Sequence, residues 1–196
     1  MFSFLRRIAG RIKHLSVVKI QRTYLYRLSK ANGWAASVPH NRNIQLEMLA
    51  PAGVNRLLDV GQIDVSEGLQ RLGRGDCCYT IFADGRLAHY GWVQRSGVHC
   101  ITEAAISRPV DDGEFWIYHA RTAEWARQRG FSKATIRQMV KDHFEAGYST
   151  GWVYASKENK ASRRSVEGVG FELAAIITAL RVGGRYFRLR QVNQGQ

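Results

Sequence analysis

The sequence predicts a mixed α/β fold in which a mostly antiparallel central sheet is flanked by helices on both faces. Two hairpin signals, Asp84-Gly85 and Gly183-Gly184, each lie between apolar, β-rich segments. A third observation is the run 114–146, in which an apolar strand is followed by a short basic turn and a helix-like segment. This alternation of strands and helices is typical of a sheet that helices cover.

Each predicted element rests on a local pattern of apolar residues and turn signals. Asp64 and Ser66 mark the start of one short helix. In order, we expect a strand at 44–49, short helices at 53–60 and 65–72, hairpin strands at 77–83 and 86–94, a strand at 98–104 and a loop at 108–113. There follow a strand at 114–122, a helix at 132–146, a strand at 151–155, a helix at 158–169 and a hairpin of strands at 171–181 and 185–192.

The N-terminal 42 residues differ from the rest of the chain in charge. The net charge is +13, and nine of the 29 basic residues but none of the 16 acidic residues lie in residues 1–42. One helical stripe is apolar and consists of Met1, Leu5, Ile8, Ile12 and Leu15. We therefore divide the chain into a basic amphipathic extension with a linker, 1–42, and a globular domain, 43–196.

The sequence of the N-terminal extension allows several interpretations of its role. Its apolar stripe could pack on the chain's own domain or on a second subunit, which would make a homodimer. A basic amphipathic helix also binds anionic membrane surfaces, so residues 1–30 are a candidate membrane contact. A transit peptide is similar in composition.

Composition limits the class of protein and its compartment. The chain has 196 residues and 45% hydrophobic residues, which is typical of a globular protein. Its three cysteines form no even disulfide framework, which favours a reducing, cytoplasmic location, with or without membrane-surface association. We expect no metal. Nucleic acid is not an expected partner, because no nucleic-acid-binding motif is evident.

The turn between the predicted strand 114–122 and the following helix is a candidate anion site. It reads Arg127-Gln128-Arg129-Gly130-Phe131-Ser132. Unpaired backbone N–H groups and the helix dipole favour negative charge at a helix start. Glycine permits a close backbone approach, and arginine adds charge-assisted hydrogen bonds. A diphosphate is the natural ligand of such a turn.

A second segment extends this pattern. After the helix come a short strand, 151–155, then Asn159 with Ser162 three residues later, and finally Gly170-Phe171. The order and spacing of both segments resemble the GNAT superfamily of acyl-coenzyme A N-acyltransferases. That family has a strand, an Arg/Gln-x-x-Gly-x-Gly/Ala turn, a helix, another strand, an Asn and a terminal Gly-Phe. The resemblance covers roughly residues 43 to 192.

The resemblance implies a fold, a donor and a binding site. In the family, the sheet splays between its fourth and fifth strands, here 114–122 and 151–155, and the acyl-CoA enters the split. Acetyl-CoA, or another acyl-CoA, would be the donor. The pyrophosphate would be held by Arg127, Gln128, Arg129, Gly130, Phe131 and Ser132. Thr122 would pair with the pantetheine arm, and Asn159 and Ser162 would contact the donor from the other side.

For catalysis we favour His119 as the general base, because its ordinary pKa of about 6.5 suits proton removal near neutral pH. Tyr118 is its neighbour on the strand, so the two side chains should point to opposite faces, and one of them should face the acceptor. Tyr90 and Glu103 are weaker candidates. Where many family members place a tyrosine that protonates the leaving thiolate, this chain has Val166.

The predicted function is transfer of an acetyl or other acyl group from acyl-CoA to a primary amine by direct attack in a ternary complex. A small amine, an amino sugar or a protein amine would be the acceptor. Two alternatives remain open at this point. The donor could be an acyl carrier protein, or the chain could be a catalytically degenerate GNAT-fold module that binds membrane or nucleic acid.

Overall fold

The computed structural model describes residues 18–32, 34, 44–61 and 63–194. The predicted amphipathic helix at residues 1–15 and most of the predicted linker lie outside the described residues. Trp34, the described residue of that linker region, donates a hydrogen bond from Nε1 to the Val169 carbonyl at 3.0 Å and packs edge-on against Phe144.

Eight strands form the central sheet. They are β1 (Lys19–Ser29), β2 (Ile44–Met48), β3 (Cys77–Ala83), β4 (Arg86–Gln94), β7 (Glu114–Thr122), β8 (Thr150–Ser156), β9 (Glu172–Val182) and β10 (Arg185–Asn193). Their spatial order is β10-β9-β1-β8-β7-β4-β3-β2. Every neighbouring pair is antiparallel except β7 and β8. The mixed, mostly antiparallel sheet is therefore confirmed.

The expectation that the sheet begins after residue 42 is wrong. Lys19–Ser29 forms β1, which lies between β8 and β9 and pairs with both of them. Leu25, Tyr26 and Leu28 are buried. Their sides alternate, so Tyr26 and Leu28 join one core cluster while Leu25 joins another on the opposite face. The basic residues of this segment occupy its exposed positions, which is why its charge resembled that of an extension.

One face of the sheet is covered by the two helices that follow β7 and β8. These are α2 (Phe131–Glu145) and α3 (Lys160–Glu167). The buried side of α2 packs on the middle strands through Ile136, Met139, Val140 and Phe144. Both helices were expected, and their ends differ by one or two residues from the predicted ones.

The opposite face is covered by three smaller elements. A 3-10 helix (Pro51–Asp59) and α1 (Val65–Gly73) lie over β3 and β4. A separate hairpin, β5 (Val98–Ile101) and β6 (Ile106–Pro109), packs with its connecting turn over β1, β7, β8 and β9. The sequence predicted one strand at 98–104 and a loop from 108, so this hairpin is a finding of the structure.

The sheet opens between β7 and β8. The two strands pair in parallel only from Glu114 to Ile117 and from Thr150 to Val153. Beyond Ile117, β7 continues to Thr122 with a partner on one edge only, namely β4. The fourth and fifth strands counted from β2 thus separate toward their C-terminal ends, as the family resemblance implied.

Candidate active site

The basic turn follows directly from the end of β7. A short 3-10 segment, Glu124–Ala126, leads into residues 127–130, and α2 begins at Phe131. Gln128 and Gly130 have φ values of 64° and 79°, so the backbone reverses twice in the left-handed region. The N–H groups of Gln128, Arg129 and Gly130 donate to no acceptor among the described residues. The first turn of α2 adds its own unpaired N–H groups.

Side chains at this turn divide into two groups. Arg127, Gln128 and Arg129 are exposed, and the Arg127 contact with Glu124 at 3.3 Å joins two solvated groups, so it constrains the arginine little. Phe131 is 2% exposed and packs in the core with Ile81 and Ala126. Of the predicted phosphate contacts, Phe131 can therefore offer only its backbone N–H group.

Gly130 lies at the start of α2 beside open space, and its role in binding a diphosphate stays a prediction. It is the N-cap of α2, and a Cβ added there would meet no atom within 4 Å. A side chain at this point would project into the open space before the helix start, where an anion would sit. A Cβ would also be strained by the positive φ.

Thr122 lies at the end of β7, where the second edge of the strand has no partner. Its Oγ1 lies 2.7 Å from Nδ1 of His89 on β4. His89 is 1% exposed, and burial lowers its pKa to about 3, so this histidine is neutral. The pairing of Thr122 with His89 holds one edge of β7 against β4. The other edge of β7, which faces the split, stays available for an extended ligand.

Across the split, Asn159 and Ser162 form a helix cap. The Asn159 side chain is the N-cap of α3 and accepts a hydrogen bond from the Ser162 N–H at 3.0 Å. Their direct contact with a donor stays a prediction. Four residues further on, Val166 is fully buried in the core cluster beneath α2 and α3. This position therefore offers no acid for the leaving group.

The prediction that Tyr118 and His119 point to opposite faces is wrong. Between the pairs Tyr90–Arg121 and Trp92–Tyr118, two residues of β7 oppose the single Gly91 of β4. His119 takes a positive φ of 47° at this β-bulge. The bulge turns both side chains toward α1: Arg71 lies against the Tyr118 ring and contacts the His119 imidazole.

Tyr118 is tied into a hydrogen-bonded network. Its hydroxyl donates to Asp76 and accepts from Arg74 at 2.9 Å, and Arg74 also binds Asp76 through Nε at 2.8 Å. Burial, followed by the bond to Asp76, raises the pKa of Tyr118 well above its usual range. A phenol held in this way is a poor proton donor or acceptor at neutral pH, so Tyr118 serves better to link β7 to the segment that follows α1.

His119 is held by the side chain of Arg71. Nη2 of Arg71 lies 3.0 Å from Nδ1 of His119 and also forms an ion pair with Glu67 on α1. Burial, followed by the charges of Arg71 and Arg121, lowers the pKa of His119 to about 4, and Glu67 opposes this shift. Of the weaker candidates, Tyr90 is fully buried beside His119, with its pKa raised to about 12 chiefly by burial, whereas Glu103 is exposed.

The residues that surround Tyr118 and His119 were not predicted from the sequence. They are Glu67, Arg71, Arg74 and Asp76, with Gln94 and His99 nearby. Glu67 and Arg71 stand four apart on a helix, which in sequence is typical of a solvated surface pair. Arg71 is in fact 8% exposed and lies over the Trp92 ring. Only the packing of α1 on β4 reveals this burial.

Many solved structures share this architecture. A GCN5-related N-acetyltransferase from Sphaerobacter thermophilus superposes with a TM-score of 0.62 at 11% identity, over 100% of this chain and 58% of that one. The chain has the GNAT fold. A GCN5-related N-acetyltransferase from Kribbella flavida gives a TM-score of 0.54 at 17% identity, over 88% of this chain and 62% of that chain.

An aminoglycoside N-acetyltransferase solved in complex with CoA shares the GNAT fold at a TM-score of 0.51 and 17% identity, over 65% of this chain and 91% of its own. No protein-family model and no curated protein sequence matches the chain. The chain spans 57% to 65% of the length of the first three structures that it matches.

Two further observations concern only the part of the chain that the structure describes. No helix in it is long and apolar enough to cross a membrane. No group of three or more His, Cys, Asp and Glu side chains in it could hold a metal ion.

Proposed function

We propose that the chain is an acyl-CoA-dependent N-acyltransferase that moves an acetyl or other acyl group to a primary amine. The observation that supports this most is the opening between β7 and β8, which ends beside the unpaired N–H groups of the turn at 127–130. An extended ligand with a diphosphate at one end matches both features. The CoA-bound aminoglycoside N-acetyltransferase with the same fold adds support.

In this proposal, different residues bind the diphosphate and the pantetheine arm of the acyl-CoA donor. The diphosphate would accept hydrogen bonds from the N–H groups at the start of α2 and from Arg127 and Arg129. The amides of the pantetheine arm would pair with the free edge of β7 near Thr122. Asn159 and Ser162 at the start of α3 would border the arm from the opposite side.

The proposed acyl transfer requires few catalytic side chains, because the thioester is already an activated acyl group. The amine nitrogen forms a bond to the thioester carbonyl carbon, and the C–S bond then breaks with its electron pair on sulfur. A thiol has an ordinary pKa of about 8.5, so the thiolate can leave without a dedicated acid. This agrees with the buried Val166. Holding amine and thioester in line can itself contribute several kcal/mol to catalysis.

A small amine such as an amino sugar is the acceptor that we propose, and the shared fold of an aminoglycoside N-acetyltransferase supports this choice. The proposal gives no part to residues 1–17. Membrane contact and dimer formation through the N-terminal region stay predictions.

Thermal unfolding with acetyl-CoA tests the donor site. At about 100 times its dissociation constant, a ligand stabilises the folded state by roughly 2.7 kcal/mol. Gly130→Glu should abolish this stabilisation, because it puts a carboxylate where the diphosphate would lie. The matched control is Gly147→Glu at the other end of α2, where φ is also positive and the space is equally open.

The control variant should keep the full ligand-dependent rise in melting temperature. An absent rise in the unmodified protein would count against acetyl-CoA and favour a carrier-protein donor or a degenerate module. Equal losses in both glycine variants would count against the turn as the diphosphate site.

A further inference from the structure

The contact between Arg71 and His119 determines which nitrogen of His119 carries the proton. A guanidinium group stays protonated in proteins and can only donate hydrogen bonds. Nδ1 of His119, which lies 3.0 Å from Nη2 of Arg71, must therefore be the acceptor. A neutral imidazole has one N–H group, so the proton is on Nε2. In this state His119 has no free lone pair with which to take a proton from an amine.

The surroundings of His119 keep the ring neutral. The charged and titratable groups that face it are Glu67 and Arg71 from α1, Arg121 and Tyr118 from β7, and Tyr90 from β4. Two cations stand against one carboxylate, and that carboxylate is already paired with Arg71. A third positive charge on His119 would be opposed by both arginines, so the ring stays neutral and keeps its proton on Nε2.

Three donors in this region are buried without a partner among the described residues. They are Nε2 of His119, Nη1 of Arg71 and the hydroxyl of Tyr90. They belong to three elements that meet at the bulge, and the rings of Tyr90 and His119 are 6.1 Å apart. Arg71 is more than nine-tenths buried. An unpaired buried donor costs about 1–3 kcal/mol, so three of them indicate a site for an oxygen ligand.

We propose that His119 acts as a neutral hydrogen-bond donor through Nε2–H, held in that tautomer by Arg71, and that it binds an oxygen atom carrying negative charge. Arg71 is the positioning residue. This inference rests on the proposed acyltransferase function and replaces the general-base role expected for His119.

Two oxygen atoms have the required chemistry. One is the thioester carbonyl oxygen, which becomes an oxyanion when the amine nitrogen bonds to the carbonyl carbon and returns to a carbonyl when the C–S bond breaks. The other is an anionic group, such as a carboxylate, on the acceptor. In both cases the proton released by the amine passes to water or to the departing thiolate, because Nε2 already carries a proton.

The first test is the tautomer of His119 in the unmodified protein, read from the ¹⁵N shifts of its imidazole. Two other histidines serve as internal references with the opposite tautomer. Nδ1 of His143 lies 2.7 Å from the Met139 carbonyl oxygen, which can only accept. Nδ1 of His99 lies 2.8 Å from Oε1 of Gln94, whose amide nitrogen donates to the Ser96 carbonyl. Both must carry the proton on Nδ1.

We expect His119 to give the Nε2–H pattern and to keep it from pH 8 to pH 5. An Nδ1–H pattern, or protonation near pH 6.5, would overturn the proposal. Neither reading requires a substrate, so this experiment stays decisive even if the proposed acyl transfer fails.

Arg71→Met should release the tautomer and raise the pKa of His119 toward its ordinary value. The matched control is Arg74→Met, because Arg74 contacts Asp76 and Tyr118 but not the His119 ring. His119 should keep its Nε2–H pattern in that variant. The same response in both variants would mean that Arg71 has no specific part. If Arg71→Met does not fold, the spectrum of the unmodified protein still decides.

Kinetics of two amide variants separate a donor from a base. In His119→Gln the amide N–H reaches the position of Nε2, whereas in His119→Asn, which tolerates a positive φ well, it reaches only that of Nδ1. A donor role predicts that the glutamine variant stays within about tenfold of the unmodified enzyme and that the asparagine variant loses about 10²–10³-fold. Equal, large losses in both would indicate a base and overturn the proposal.

The kinetic parameter that changes in the asparagine variant identifies which oxygen atom His119 binds. A loss in kcat points to the carbonyl oxygen of the acyl group, whereas a rise in KM for the amine alone points to an anionic group on the acceptor. Either result supports the donor role of His119.

Discussion

The turn at 127–132 follows the C-terminal end of β7, and the cluster around His119 lies on the C-terminal half of the same strand, yet the two are built in different ways. The turn is exposed and consists of consecutive residues whose free N–H groups follow from the backbone itself. The cluster around His119 is largely buried, and it brings together α1, β4 and β7 through Arg71, Tyr90 and His119. A site made of consecutive residues shows in the sequence, whereas one made across elements does not.

The largest effect should come from the residue that anchors the turn. Phe131→Ala removes a buried side chain of the core and should lower the free energy of unfolding by about 3–5 kcal/mol. Urea denaturation measures this loss. Trp125→Ala, at an exposed side chain close by, is the control and should cost far less. Similar losses in both variants would mean that the turn is not anchored as described.

Buried histidines should make the stability of the fold depend on pH. His89 and His99 have folded-state pKa values of about 3 and about 4, lowered chiefly by burial, so they bind protons mainly in the unfolded chain. Their contribution is complete above pH 6.5 and is lost as the pH falls toward 4, at roughly 1 kcal/mol per histidine per pH unit. His119 adds a smaller share because its ring is partly exposed to solvent.

Urea midpoints measured from pH 7.5 to pH 5 check this dependence. His89→Gln should reduce the slope without abolishing it, because the glutamine side chain cannot charge whereas His99, His119 and His143 also have lowered pKa values. A stability that stays constant over this range would contradict the neutral, buried state of both histidines.

Asp76→Asn should break the network around Tyr118. Asp76 is 5% exposed and accepts hydrogen bonds from Arg74 and Tyr118, so the amide would lose one acceptor oxygen and leave a buried donor unpaired. We expect a loss of about 2 kcal/mol in unfolding free energy. Asp112→Asn, at an exposed carboxylate, should change stability by less than about 0.5 kcal/mol. A negligible loss for Asp76→Asn would show that the network adds no stability.

The smallest effects should come from the exposed arginines of the turn. Arg127→Gln and Arg129→Gln should each weaken acetyl-CoA binding about tenfold, which corresponds to about 1.4 kcal/mol, and leave stability almost unchanged. Isothermal titration at two salt concentrations measures the affinity, and each variant should reduce its salt dependence. Arg185→Gln on the distant strand β10 should change neither quantity. If it weakens binding equally, net charge rather than the turn attracts the ligand.

The sequence predicted the turn and the two hairpins at Asp84-Gly85 and Gly183-Gly184, because each depends on neighbouring residues, whereas the separation of β7 from β8 followed only from the family resemblance. β1 was not predicted, because the basic residues at the exposed positions of Lys19–Ser29 obscured the alternation of buried and exposed side chains. That alternation is explained only by the position of the strand between β8 and β9. The sequence also put Tyr118 and His119 on opposite faces. The bulge that brings them together depends on Gly91, a residue of another strand. Contacts of that kind are fixed only by the folded chain.

The central claim is that the start of α2 and the free edge of β7 form one donor site. Titration of ¹⁵N-labelled protein with CoA, followed through assigned backbone amide signals, tests it most directly. We predict the largest shifts at residues 128–133, with a second group at 118–122 on β7 and 154–156 on β8. Saturable shifts confined to other parts of the chain, or no shifts at millimolar CoA, would contradict the claim.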